Sequence, residues 1–287
     1  MFTVSVFLTQ KCDNNCSYCY GHAKGEMSYG LAREVITHLH CMGFRKISFA
    51  GGEPLLWSYD VFEIIGYAKS LNMYTELITN GNKLQSKDLT LNSCKLDILT
   101  IDVDCLSSKL NTSLGKNMNH VNRAEMLFSE AHRLGIQCKV NTVVTSINYN
   151  DVIGMCDWIK GNPAIYRWKI FQFLPSAGRA LKNADQLMIS DEGFNKVVEK
   201  VREEMEGWQG ELIIEDNEYL SNSYASVDQE CNFYTALKDG DRYKTVEIGK
   251  VLDMSMEDFL NHPLINRDQF LERSLNNYKK MITMHRR

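Results

Sequence analysis

Short apolar runs and longer amphipathic stretches alternate through the first 175 residues. FTVSVFLT (2–9), KISFA (46–50), YTELIT (74–79), DILTIDV (97–103), IQCKVNTVV (136–144) and YRWKIFQFL (166–174) read as strands. Helical spacing of apolar residues falls between strands, around Leu31 to Met42, Tyr59 to Leu71, Arg123 to Leu134 and Asp151 to Ile159. This order predicts an α/β protein whose parallel strands, joined by right-handed crossovers, wrap into a partial (βα)6 barrel. From Pro175 the pattern changes to a polar loop, a helix from Asp191 to Glu206, a strand ELIIE at 211–215 and a final α-rich segment. The expected division is a barrel over residues 1–175 and a carboxyl-terminal α/β extension over 176–287 that closes it.

The alternation also assigns faces. Helices cover the outside of a barrel, so apolar residues take the outward positions. On YRWKIFQFL, Trp168 and Ile170 then point outward, while Arg167 and Lys169 share the inward face. Lys139 and Asn141 share one face opposite Cys138 and Val140, and Lys46 and Ser48 share one opposite Ile47 and Phe49. Either each basic side chain sits at a strand end and reaches water, or the four cations converge. Converging cations call for an anion of comparable charge, and a triphosphate supplies it.

Composition narrows the class. With 287 residues, 44% hydrophobic and 24% charged, the chain is long enough for one α/β barrel with a sizeable core. The net charge of −4 argues against nucleic acid as a partner. No signal peptide and no long apolar stretch is visible, so a cytoplasmic, membrane-free, monomeric protein is expected. Nine cysteines, three of them within eight residues, fit thiolates in a reducing compartment better than a disulfide framework. Cys41, Cys94, Cys105, Cys138, Cys156 and Cys231 read as core filler.

Cys12, Cys16 and Cys19 carry the strongest signal. Their C-x3-C-x2-C loop leaves the carboxyl end of the first strand, where α/β barrels place their chemistry. Zinc would need a fourth ligand, and only His22 is near in sequence. A [4Fe-4S] cluster held by three thiolates instead keeps one iron open for a small molecule. Gly51-Gly52-Glu53-Pro54 follows the second strand, its glycines permitting close backbone approach and its carboxylate able to accept from an ammonium group. Thr79-Asn80-Gly81 and Asp102 add polar groups to the same rim.

On these residues the chain resembles the radical S-adenosylmethionine (radical SAM) enzymes, and among them the viperin-like enzymes, called prokaryotic viperins in bacteria and archaea. The closer likeness rests on Lys46–Pro54, Asn119-His120-Val121, Lys139-Val140-Asn141, Asn162-Pro163 with Arg167–Gln172, and Asn222-Ser223-Tyr224. The resemblance implies a radical SAM barrel with two cofactors, a [4Fe-4S] cluster on Cys12, Cys16 and Cys19, and S-adenosylmethionine. It places S-adenosylmethionine against Tyr18, Gly51, Gly52, Glu53, Asp102 and Lys116. It puts the triphosphate of a nucleotide on Lys46, Ser48, Lys139, Asn141, Arg167 and Lys169, and makes Tyr224 a proton source. Base readout is expected near Glu215, Asn217 and Glu218. Ser48, Ala50 and Lys116 stand where the animal pattern has asparagine, serine and arginine. The implied activity is a lyase: dehydration of CTP, UTP or GTP to the 3′-deoxy-3′,4′-didehydro analogue, an antiviral chain terminator, with flavodoxin or ferredoxin as electron donor. Two other readings stay open, a radical SAM enzyme acting on a peptide or another small molecule, and a non-catalytic nucleotide-binding protein.

Overall fold

The computed structural model describes residues 1–21, 25–240 and 242–284, with side chains as far as Leu275; His22 lies outside the described residues. Parallel strands alternate with helices as expected: β1 (Phe2–Phe7), β2 (Phe44–Ala50), β3 (Tyr74–Thr79), β4 (Ile98–Asp102), β5 (Gln137–Val144), β6 (Ile165–Gln172) and β7 (Glu211–Glu215). The intervening helices are α1 (Tyr29–Met42), α2 (Val61–Ser70), α3 (Ser86–Asn92), α4 (Ser108–Ser113), α5 (His120–Arg133) and α6 (Tyr149–Gly161). Helix α1 illustrates why they form. Ser28 caps its first turn by accepting from the Leu31 N–H, Gly43 at φ 102° ends it, and Ala32, Val35, Ile36 and Leu39 make one buried stripe. Outward strand residues such as Val4, Val6, Ile47, Phe49, Leu99, Trp168 and Ile170 are fully buried beneath such stripes.

The segment after residue 224 departs from the α-rich expectation. It forms β8 (Ala225–Val227), β9 (Asn232–Asp239) and β10 (Arg242–Lys250) before the helices Met256–Asn261 and Arg267–Met284. Four charges, Arg242, Lys244, Glu247 and Lys250, hide the strand character of β10, as suits a solvent-facing sheet edge. Its sequence signal is Asp239-Gly240, a hairpin turn pair with Gly240 at φ 63°. Strand order is β10-β9-β8-β1-β2-β3-β4-β5-β6-β7, and the extension therefore adds strands at both ends of the sheet. β8 lies parallel to β1, with Val4 opposite Ala225.

Cys105, Cys138, Cys156 and Cys231 are buried, but Cys41 and Cys94 are exposed, which corrects their reading as core. Cys41 falls off the buried stripe of α1, and Cys94 follows the end of α3. The amino end packs on the helix Arg267–Met284 beside β1: the Met1 ammonium donates to the Ser274 carbonyl at 2.6 Å, and Phe2 stacks on Phe270 with centroids 5.6 Å apart.

Candidate functional site

The cysteine loop is held by backbone bonds and by side chains from neighbouring loops, Asn80 Nδ2 to Asp13 (2.8 Å), Asn82 Nδ2 to Asn14 (2.9 Å) and Asn183 Nδ2 to Ser17 O (2.9 Å) among them. Gly52 N–H donates to Thr9 O (2.6 Å), Glu53 N–H to Lys11 O (2.7 Å), Asn15 N–H to Gly115 O (2.9 Å) and Ser17 N–H to Leu114 O (3.0 Å). Ala180 N–H donates to Cys19 O at 2.9 Å, and the Arg179 guanidinium to Cys16 O at 2.8 Å. These approaches need glycine: a Cβ on Gly52 would lie 2.4 Å from Lys11 O, and one on Gly115 2.1 Å from Asn15 O. In this structure the glycine turn thus closes on the cysteine loop itself.

Glu53 is fully buried. It accepts from Thr79 Oγ1 (2.7 Å) and the N–H groups of Asn80 (2.8 Å) and Leu55 (3.1 Å), joining the glycine turn to the end of β3. Burial pushes its carboxyl up to about 7, against the pull of those donors.

Within the loop, Cys12 is exposed and Cys16 and Cys19 are half-buried. Burial raises the Cys12 thiol and pushes Cys16 up to about 11. The Tyr18 hydroxyl donates to Asp104, which also pairs with Lys116 at 2.5 Å. Burial would lower Lys116, but Asp104, Cys16 and Asp102 together raise it. Asp102, raised by burial, accepts from Asn141 Nδ2 at 3.0 Å, and its carbonyl takes Lys116 and His120 Nε2. His120 is pushed down to about 4 by burial and nearby Lys116, which leaves a neutral ring.

The lumen gathers the cations expected from alternation, with partners the strand reading missed. Glu76 on β3 accepts from Lys46 (2.8 Å), Lys139 (2.9 Å), Ser48 Oγ (2.8 Å) and Thr100 Oγ1 (2.6 Å). Burial would raise this carboxylate, yet Lys139 and Lys46 hold it well below the usual range. Arg167 pairs with Glu211, its register partner on β7. Glu215 takes Lys169 (2.7 Å), Arg273 of the helix Arg267–Met284, and the Tyr224 hydroxyl. The signal for Glu76 was a charged residue on the inward face of YTELIT; Arg273 had none. Burial lowers Lys46 to about 8 and Lys169 to about 7. Asn217 donates its N–H to Gln172 Oε1 and its Nδ2 to Phe173 O, while its buried Oδ1 has no hydrogen-bond partner among the described residues and Glu218 is exposed.

Among the described residues, no three His, Cys, Asp or Glu side chains are placed to share one metal ion. The loop therefore does not present a preformed single-ion site, and three soft donors on one loop suit a cluster that takes one thiolate per iron. Residues 6–159 match the radical SAM superfamily. A relative from Selenomonas ruminantium, an S-adenosylmethionine-dependent nucleotide dehydratase, is 30% identical over 244 residues, covering 80% of this chain and 84% of that protein. The chain belongs to the radical SAM superfamily, among its nucleotide dehydratases. Another relative of that name, from Flammeovirga pacifica, is 28% identical over 284 residues, covering 94% of this chain and 93% of that protein. Two solved structures share the fold. Streptococcus suis SuiB bound to S-adenosylmethionine has a TM-score of 0.69 at 14% identity, covering 93% of this chain and 67% of that one. Native anSMEcpe with bound AdoMet has a TM-score of 0.67 at 15% identity, covering 93% and 82%. Radical SAM membership brings with it a [4Fe-4S] cluster and S-adenosylmethionine. No helix among the described residues is long and apolar enough to cross a membrane.

Proposed function

We propose that this radical SAM nucleotide dehydratase converts a ribonucleoside triphosphate, CTP, UTP or GTP, to its 3′-deoxy-3′,4′-didehydro analogue, an antiviral chain terminator. The observation that carries the substrate class is the lumen's charge. Lys46, Lys139, Arg167, Lys169 and Arg273 are paired with only Glu76, Glu211 and Glu215, five basic side chains against three carboxylates, so this layer is net positive when its lysines are protonated. A buried excess of positive charge favours a polyanion over a neutral ligand. The excess lies in the lumen, beneath the rim loop that bears Cys12, Cys16 and Cys19.

Those three cysteines would hold the cluster, which together with S-adenosylmethionine would supply a 5′-deoxyadenosyl radical for removal of hydrogen from C4′ of the ribose. The protein's part is placement. Lys139, Asn141, Arg167 and Lys169, on two adjacent strands, would grip the phosphates and bring the ribose toward the rim. Tyr18, Gly51, Gly52, Asp102 and Lys116 line the S-adenosylmethionine side, with Glu53 bracing the glycine turn. Tyr224 Oη, held between Lys169 and Glu215 and raised well above its usual value by burial, keeps its proton for delivery to the product. Residues 1–175 act as the barrel, and 176–287 supply Glu211, Glu215, Tyr224 and Arg273 to its open side.

Anaerobic turnover with each of the four common triphosphates, deuterated at C4′, tests the proposal. Deuterium is expected in 5′-deoxyadenosine together with a nucleotide lighter by one water. Label arriving from any other position, or from a peptide, overturns it.

A further inference from the structure

Glu76 is a buried carboxylate that the proposed reaction leaves without a task. It is 1% exposed and points inward from β3, between β2 and β4. Each of its oxygens takes one ammonium and one hydroxyl. Oε2 accepts from Lys46 Nζ and Ser48 Oγ, and Oε1 from Lys139 Nζ and Thr100 Oγ1, all at 2.6–2.9 Å. Two cations and two hydroxyls closing on one anion are the donors that a phosphate group takes as well. The chain fills this anion seat with a side chain of its own, and Lys139 and Lys46 keep that side chain ionised.

Depth decides which phosphate meets Glu76. Thr79, the last residue of β3, reaches Glu53 at the rim, and Glu76 stands three residues before it, about 10 Å deeper along the strand. β5 and β6 carry the same two levels: Asn141 lies opposite Lys169 nearer the rim, and Lys139 opposite Arg167 below them. A nucleotide whose ribose faces the cysteine loop runs its phosphates down this wall, so the last phosphate of a triphosphate comes to rest at the level of Lys139, beside Glu76. An ammonium has three N–H donors, so Lys46 and Lys139 can hold phosphate and carboxylate together. The two anions then share one pair of cations, and much of the attraction for the last phosphate is cancelled.

We infer that Glu76 is a specificity-determining residue: a resident anion in the seat of the terminal phosphate, it limits the preference for nucleoside triphosphates and admits nucleoside diphosphates as a second substrate class. The inference rests on reading the lumen as the phosphate site. The reaction itself is the same for both, since each nucleotide brings the same C4′ hydrogen and 3′-hydroxyl and no bond to phosphorus breaks. A bound diphosphate reaches Lys169 and Arg167 and leaves Lys46 and Lys139 compensated by Glu76, so no buried cation is stranded.

The test measures kcat/KM for a triphosphate and the matching diphosphate in three proteins: wild type, Glu76→Gln, and Glu76→Gln/Lys46→Met. The double variant removes the carboxylate together with one of its cations, and so remains informative if the single variant folds poorly. In the wild type the two nucleotides should differ by no more than about tenfold. Glu76→Gln should raise the preference for triphosphate about tenfold further, and the double variant should bring it back toward the wild-type ratio. Calorimetric titration with inorganic pyrophosphate and tripolyphosphate, which needs no turnover, should rank the three proteins in the same order. A wild type that prefers the triphosphate more strongly than that, or a ratio that both variants leave unchanged, overturns the role of Glu76. If neither nucleotide loses water while the titrations keep the expected order, the proposed dehydration fails and the role of Glu76 stands.

Discussion

The rim and the lumen of this barrel are both polar, yet they are held in different ways. The rim loop is fixed by backbone hydrogen bonds to the glycine turn, to Leu114 and Gly115 and to Ala180, together with mostly uncharged side-chain bonds from Asn80, Asn82 and Asn183 and one from Arg179. The lumen is fixed by side-chain charge pairs centred on Glu76, Glu211 and Glu215. Backbone and amide contacts are indifferent to pH and to added anions, whereas the charge pairs that dominate the lumen are not. A cofactor loop therefore keeps its shape while the chamber below it can trade an internal carboxylate for a substrate phosphate.

Replacing Cys12, Cys16 and Cys19 together with alanine should have the largest effect, removing bound iron and the absorbance near ~410 nm that such a cluster gives while nucleotide binding in the lumen survives. Retained iron would place the cluster elsewhere. Glu76→Ala comes next, because it strands Lys46 and Lys139 as buried charges. Removing one partner of a buried pair costs about 3–5 kcal/mol, read as a lowered midpoint in urea. High concentrations of inorganic triphosphate should recover part of it, and a variant as stable as wild type would mean that water already screens this floor. Gly52→Ala should cost about 1–3 kcal/mol through overpacking, because the clash is with the Lys11 carbonyl. Its loss should appear in iron content and not in triphosphate affinity; the reverse would erase the contrast between rim and lumen.

The smallest effect is a pH dependence. Burial, with help from Arg273 and Lys139, lowers Lys169 to about 7 against the pull of Glu215. Its charge is present below that value and lost as pH rises through it, so kcat/KM for the triphosphate should fall above about pH 7. Lys169→Arg, which stays charged, should shift that fall upward. Stability runs the other way. Between about 7 and the ordinary 10.5 the unfolded chain binds more protons than the folded one, so the folded state gains stability as pH rises across that window. A flat kcat/KM profile in wild type would show Lys169 to be charged throughout.

The barrel was legible because parallel strands buried on one face write their alternation plainly. YTELIT and ELIIE match β3 and β7 residue for residue, and Arg167 and Lys169 were placed inward from Trp168 and Ile170 alone. Glu76 was passed over because a lone acid in an apolar run looks like a strand end until β2 and β4 are seen on either side. Arg273 could not be read at all, since its pairing with Glu215 joins residues 58 apart through a helix that the strand pattern does not locate. β10 was missed because this edge strand carries Arg242, Lys244, Glu247 and Lys250, and the Asp239-Gly240 turn is the signal that joins it to β9.

β1 is flanked on one side by β2, some forty residues on, and on the other by β8, more than two hundred residues on. Loop closure over such a span makes the second ladder slow to form. During synthesis β1 can pair with β2 early but must wait, with its other edge bare, until Ala225–Val227 has emerged. A fragment ending at 175 would keep that edge open and invite pairing between copies, so the stretch that carries the cysteines needs the stretch that carries Tyr224 simply to stay in solution.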